Sequence, residues 1–133
     1  SRVVHFTGSG QFVRIIGGVK GSQPGQLQVP HGVALDSQGR ILVNDSDNQG
    51  VSVFDKDGKF VESWAFPSRG GIVVTSGDTV YVSDVNAGVV NVLKNGKRID
   101  TVNADRAHGL GVDSDGSIYV SGASRMTVMK ITK

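Results

Sequence analysis

A fifteen-residue pattern that returns three times constrains this chain more than any other feature. Residues 31–45 read HGVALDSQGRILVND, residues 70–84 read GGIVVTSGDTVYVSD, and residues 108–122 read HGLGVDSDGSIYVSG. Each holds two short β-branched, apolar runs separated by a turn such as Asp36-Ser37-Gln38-Gly39, which is the pattern of a β-hairpin. The starts at 31, 70 and 108 are 39 and 38 residues apart. A period of about 40 residues built only of strands is the mark of a propeller blade. The expected fold class is therefore all-β, with about three four-stranded blades per chain.

Read in order, the chain opens with an outer hairpin, residues 1–6 and 11–16 around Thr7-Gly8-Ser9-Gly10. A polar crossing rich in Gly and Gln fills residues 17–30. One blade spans residues 31–64, with its turns at 36–39 and 57–58 and a polar corner at Asp45-Ser46-Asp47-Asn48. A second spans 70–102, its outer turn carrying Asn95-Gly96, the strongest two-residue hairpin signal. A third spans 108–133 and has only three strands, the last at 126–131. Residues 1–133 thus form one partial propeller, 1–16 being the outer hairpin of an incomplete blade. The count is two strands, then four, four and three. Closed propellers have about four to eight blades, and a free inner edge invites pairing. Half of a six-bladed ring is expected, closed by a second copy in a homodimer or by a missing half, with residues 11–16 of one chain beside 126–131 of the other.

Composition removes several function classes. Fourteen Lys and Arg against twelve Asp and Glu leave a net charge of +2, too small and too spread for a nucleic-acid footprint. Lys94, Lys97 and Arg98, and Lys56 and Lys59, sit on outer hairpins beside Asp100, Asp55 and Asp57, which reads as an ordinary solvated rim. No apolar run reaches the length of a membrane span. The absence of Cys excludes disulfides and a thiol nucleophile, and there is no Gly-x-Ser-x-Gly elbow or phosphate loop. Ser1, where Met would start a primary product, is expected of a processed or excised piece.

His31 and His108 head the innermost strands of two blades separated by a third, so both should face one mouth of the central channel. Imidazole is the commonest biological zinc ligand, but a catalytic zinc takes about three protein ligands. The other reading is a pair of polar pore-lining residues that bond water or loop carbonyls. His5 falls on an outer strand and reads as packing or surface. Asp45, Asp47 and Asp84 lie in corners. Without an Asp-x-Asp-x-Asp-Gly loop and closing Glu they read as turn-fixing carboxylates, so calcium is not expected. Phe54, Phe60, Val80 and Val82 should form inter-blade core, and Trp64 should pack between blades.

The GVALD, DSxG, ILVND/VYVSD and VxVF segments resemble the NHL-repeat family. Three stretches, SRVVHFTGSGQFVRIIG, PGQLQVPHGVALD and AHGLGVDSDGSIYVSG, also resemble in order the second half of the peptidyl-α-hydroxyglycine α-amidating lyases. The resemblance implies a propeller and a zinc held by three histidines from alternate blades, two of them falling on His31 and His108. It implies carbinolamide cleavage to a peptide amide and glyoxylate. Gly70 occupies the middle blade's histidine place, Ser46 stands where those lyases carry a catalytic arginine, and Gly109 where they carry an acidic residue beside a calcium. The third histidine would belong to the half that this chain lacks. Two function classes follow: a binding or scaffold propeller that meets a small-molecule or peptide ligand at its channel mouth, and a zinc-dependent lyase-like enzyme or an inactive half of one.

Overall fold

The computed structural model describes residues 1–122 and 128–132. Thirteen strands are found among them: β1 Arg2–Phe6, β2 Phe12–Gly17, β3 Pro30–Leu35, β4 Ile41–Asp45, β5 Gly50–Phe54, β6 Phe60–Ala65, β7 Ile72–Val74, β8 Thr79–Asp84, β9 Val89–Lys94, β10 Lys97–Asn103, β11 Ala107–Val112, β12 Ile118–Gly122 and β13 Val128–Ile131. Residues 126 and 127, expected at the start of the last strand, lie outside the described residues. The strands form four antiparallel sheets in chain order: a leading hairpin β1-β2, a first full sheet β3 to β6, a middle sheet β7 to β10 and a trailing sheet β11 to β13. The polar corner after β4 forms one 3-10 turn, Ser46–Asn48.

Turn chemistry explains the hairpins. The Asp36 carboxylate accepts the backbone N–H of Gln38 and Arg40, Asp55 accepts those of Asp57 and Lys59, and Asp113 those of Asp115 and Ser117. Each aspartate thus closes a turn on its own backbone. Between turns the strands are short and β-branched. β4 and β5 are buried at every residue, because both faces of the first sheet are covered.

Register makes the sheets interchangeable. Counting outward, β3, β7 and β11 hold place one, and β4, β8 and β12 place two. β5 and β9 hold place three, and β6 and β10 place four. The leading hairpin occupies places three and four: Phe6 opposes Phe12 after a register shift, as Phe54 opposes Phe60 after one. β13 also holds place three, since Ile131 opposes Ile118 as Phe54 opposes Ile41.

Three apolar layers join the four sheets. Ile16 of the leading hairpin packs with Leu27, Ile41, Val43 and Phe54. Leu42, Val51, Val53 and Trp64 of the first sheet meet Ile72, Val80, Val82 and Leu93 of the middle one. Tyr81, Val90 and Val92 then meet Ala107, Ile118 and Val120 of the trailing sheet. Each fully buried side chain of this size contributes about 1.5–3 kcal/mol. Trp64 packs between sheets as expected, and Phe54, Val80 and Val82 are core. Phe60 is partly buried against Phe54, ring centroids 6.0 Å apart.

Candidate functional site at the channel mouth

His31 and His108 are each the extra residue of a β-bulge. Between β3 and β4, Pro30 opposes Asp45 and Gly32 opposes Asn44, which leaves His31 unopposed. Between β11 and β12, Ala107 opposes Gly122 and Gly109 opposes Ser121, which leaves His108 unopposed. A bulge re-aims the side chain it carries. Here it turns both imidazoles toward one another, with ring centroids 5.7 Å apart and planes at 80°. The sequence reading expected both rings at one mouth of a central channel; the structure brings the two rings into edge-on contact.

The middle sheet carries no side chain at the position equivalent to the two histidines. Gly70 stands at the equivalent bulge position with φ +144°, and a Cβ there would lie 2.3 Å from Ser83 Oγ and 2.7 Å from the His108 carbonyl. Glycine is thus required both by conformation and by space. The neighbouring Gly71 serves close approach: a Cβ would sit 2.9 Å from the Leu110 amide nitrogen. The innermost strands lie nearly backbone to backbone.

Buried polar side chains lock the bulges in place. Asn44 Nδ2 donates to the Gly70 carbonyl at 2.9 Å, and its Oδ1 accepts from Ser68 Oγ at 2.6 Å. One sheet further on, Ser83 Oγ donates to the His108 carbonyl at 2.7 Å, and the Gly71 amide donates to that carbonyl at 2.6 Å. Asn44 and Ser83 hold the same register position and both are fully buried. Ser121 is the third member of this series and is exposed. Sequence reading missed these residues. Their signal was present in the polar position that follows the apolar run in ILVND, VYVSD and IYVSG.

The corner aspartates serve the backbone. Asp45 is buried and accepts from the Gln28 and Val29 amides and from Asn48 Nδ2, which ties the long 17–30 crossing to the first sheet. Asp84 accepts from the amides of Asn86 and Ala87. Asp47 lies 4.0 Å from Arg69. His5 sits on the exposed leading hairpin, away from the pair. Ser46 Oγ, in the first corner, is buried without a hydrogen-bond partner among the described residues. Asp78 bridges two sheets at their inner turns. Its carboxylate accepts from both the Ser37 hydroxyl and the Ser37 amide, and the hydroxyl bond holds its pKa below the ordinary carboxylate value.

Among the described residues no three His, Cys, Asp or Glu side chains gather as a metal-holding group. The pair supplies two imidazoles, one short of the three protein ligands of a catalytic zinc.

The NHL-repeat family model matches residues 27–54, the segment that runs from the end of the crossing through β5. The chain carries an NHL repeat. Relatives match the chain in two ways, over a short segment and over nearly its whole length. It is 44% identical over 48 residues to NHL repeat-containing protein 3 of Homo sapiens, covering 35% of this chain and 14% of that protein. It is 28% identical over 155 aligned positions to peptidyl-glycine alpha-amidating monooxygenase B of Xenopus laevis, covering 99% of this chain and 18% of that one. The chain therefore spans under a fifth of the length of these relatives. Among solved structures, virginiamycin B lyase of Staphylococcus aureus superposes with a TM-score of 0.69 at 15% identity, over 98% of this chain and 48% of that one. The fold is that of a β-propeller.

Proposed function

We propose that this chain is a binding module, a segment of an NHL-repeat propeller that holds a small polar or peptide ligand at the channel mouth between His31 and His108. The observation behind this reading is the pair itself: two exposed imidazoles, 5.7 Å apart, on equivalent bulges. Around it lie the glycine gap at Gly70 and the hydrogen bonds to the Gly70 and His108 carbonyls. Neutral imidazole offers one donor and one acceptor, so two perpendicular rings can grip a polar group from two directions. Ser46 in the lyases' arginine place and the two-imidazole donor set favour binding without catalysis.

The second reading is a zinc-dependent lyase-like enzyme, or an inactive half of one. It draws on the end-to-end similarity to the amidating monooxygenase and on the two histidines at the zinc-ligand places of that resemblance. In that reading His31 and His108 would be two of the zinc ligands, the metal would act as Lewis acid, and the third ligand would come from outside this chain.

Metal analysis of the purified chain, followed by titration with zinc alone, separates the two. The binding reading expects no stoichiometric zinc after purification. Stoichiometric zinc that is lost in both His31→Ala and His108→Ala establishes the second reading instead.

A further inference from the structure

The two ends of the sheet stack are unfinished versions of interfaces that the chain completes inside itself. On the trailing sheet, Tyr119 and Ser121 hold the register positions of Tyr81 and Ser83 in the middle sheet. Tyr81 and Ser83 are buried against the following sheet, whereas Tyr119 is 36% exposed and Ser121 is exposed. At the other end, Val33 and Leu35 of β3 hold the positions of Ile72 and Val74 of β7. Ile72 is buried and Val74 half-buried against the preceding sheet, while Val33 is 52% and Leu35 63% exposed. Both lie in an apolar groove with Val3, Val4, Ile16 and Ile41. That groove is where places one and two of a preceding blade would pack, since the leading hairpin supplies only places three and four.

We propose that a second copy of this chain closes the ring, and that it does so by strand exchange. β11 and β12 of one copy enter the groove beside β3 of the other. β1 of that other copy then takes the place-three position on β12, displacing β13. The blade so formed reads β11, β12, then the partner's β1 and β2, four strands where the isolated trailing sheet has three.

Three observations single out this register. First, β1 and β13 hold the same place and share a pattern: Val3-Val4-His5-Phe6-Thr7 matches Val128-Met129-Lys130-Ile131-Thr132. Both cannot occupy that place in one blade. Second, β13 is the weaker holder. Val128 is 71% and Met129 41% exposed, where their counterparts Val51 and Ser52 in the first sheet are buried. Val3 and Ile16, by contrast, are packed into the layer against the first sheet. Third, exchange places Phe6, now 54% exposed, where Phe54 and Leu93 are buried in the other two blades. It also gives Ser121 an acceptor, the His31 carbonyl of the partner subunit, as Ser83 has the His108 carbonyl.

The test is the solution mass of the intact chain together with engineered cysteines, which the absence of native Cys makes clean. Light scattering across a wide concentration range should give a species of twice 13.9 kDa. Ser121→Cys combined with Val3→Cys should oxidise to a covalent dimer, since the two positions oppose each other as Asn44 opposes Val51. Ser121→Cys combined with Val128→Cys should cross-link only within monomers. Leu35→Asp, at an exposed site, should leave the fold intact by circular dichroism and abolish the dimer. Removal of residues 128–133 should leave the dimer in place. A monomer at every concentration overturns the proposal. So does a dimer that cross-links 121 to 128 within each chain, and so does one indifferent to Leu35→Asp.

Discussion

Phe54 and Phe6 are the same residue of the same blade place, yet one is 1% exposed and the other 54%. Each meets its partner phenylalanine edge-on, at 6.0 Å for Phe54–Phe60 and 6.3 Å for Phe6–Phe12. Local sequence has made the same hairpin twice. What differs is that the leading hairpin covers Phe54 from behind, and no sheet among the described residues covers Phe6. The middle of the stack and its ends are therefore built by one rule, and burial depends on whether a neighbouring sheet is present. Tyr81 and Tyr119 teach the same lesson at the other end, where Tyr119 instead bonds Asp113 and lies under Lys130, whose ammonium is 5.3 Å from the ring.

This comparison can be broken most easily by truncating the aromatic pair. Phe54→Ala should cost about 3–5 kcal/mol of stability, the usual price of an emptied core site. Phe6→Ala, measured by urea unfolding in dilute solution, should cost under about 1 kcal/mol. Equal losses would mean that the two hairpins are equally covered.

The bulge glycine comes next. Gly70→Ala should destabilise by roughly 1–3 kcal/mol through strain at φ +144° and contact with Ser83 and His108. Gly111→Ala, which has open space around its Cβ, should change stability by only about 0.5 kcal/mol or less. A neutral Gly70→Ala would show that the innermost strands can separate, which would undercut the geometry of the histidine pair.

Ser83→Ala removes one of two donors to the His108 carbonyl and should cost about 0.5–1.5 kcal/mol. It should also displace the His108 ring resonances in a proton–nitrogen NMR spectrum. Ser121→Ala, at the same place on the open sheet, should do neither in dilute solution.

The smallest effect is electrostatic. The Ser37 hydroxyl holds the Asp78 carboxyl below its ordinary pKa, so the folded state binds this proton less readily than the unfolded chain. The contribution is fully present above the ordinary carboxylate range and is lost as pH falls through the lowered value of Asp78. Ser37→Ala should flatten the acid limb of a melting-temperature profile. Asp55, lowered chiefly by the Lys59 amide within a single hairpin, should keep its own titration in that variant.

Much of this architecture was legible from residues alone, for a physical reason. A turn aspartate and a two-residue period are local signals, each enforced by backbone chemistry within a few residues, and their return after 39 and 38 residues marks the blades. The inter-blade role of Trp64 and the equivalence of His31 and His108 on two different blades followed from the repeat. The bulges did not, because a one-residue slip between neighbouring strands leaves no composition mark at His31 or His108. Nor did the 5.7 Å approach, which rests on close packing of the innermost strands at Gly70 and Gly71, where a Cβ would meet Ser83 and the backbone of His108 and Leu110. Asn44, Ser83 and Ser121 share a recurring polar position, but the acceptors of Asn44 and Ser83 lie on the next sheet, 26 and 25 residues away.

Hydroxyl-radical footprinting with mass spectrometry tests the central claim, that the chain's ends are uncovered copies of its own interior interfaces. The account predicts that Phe54 and Tyr81 stay protected at every concentration, and that Phe6 and Tyr119 react in dilute solution and become protected as the chain is concentrated. Phe6 and Tyr119 as protected as their counterparts at the lowest concentration, or Phe54 and Tyr81 reacting alongside them, would contradict it.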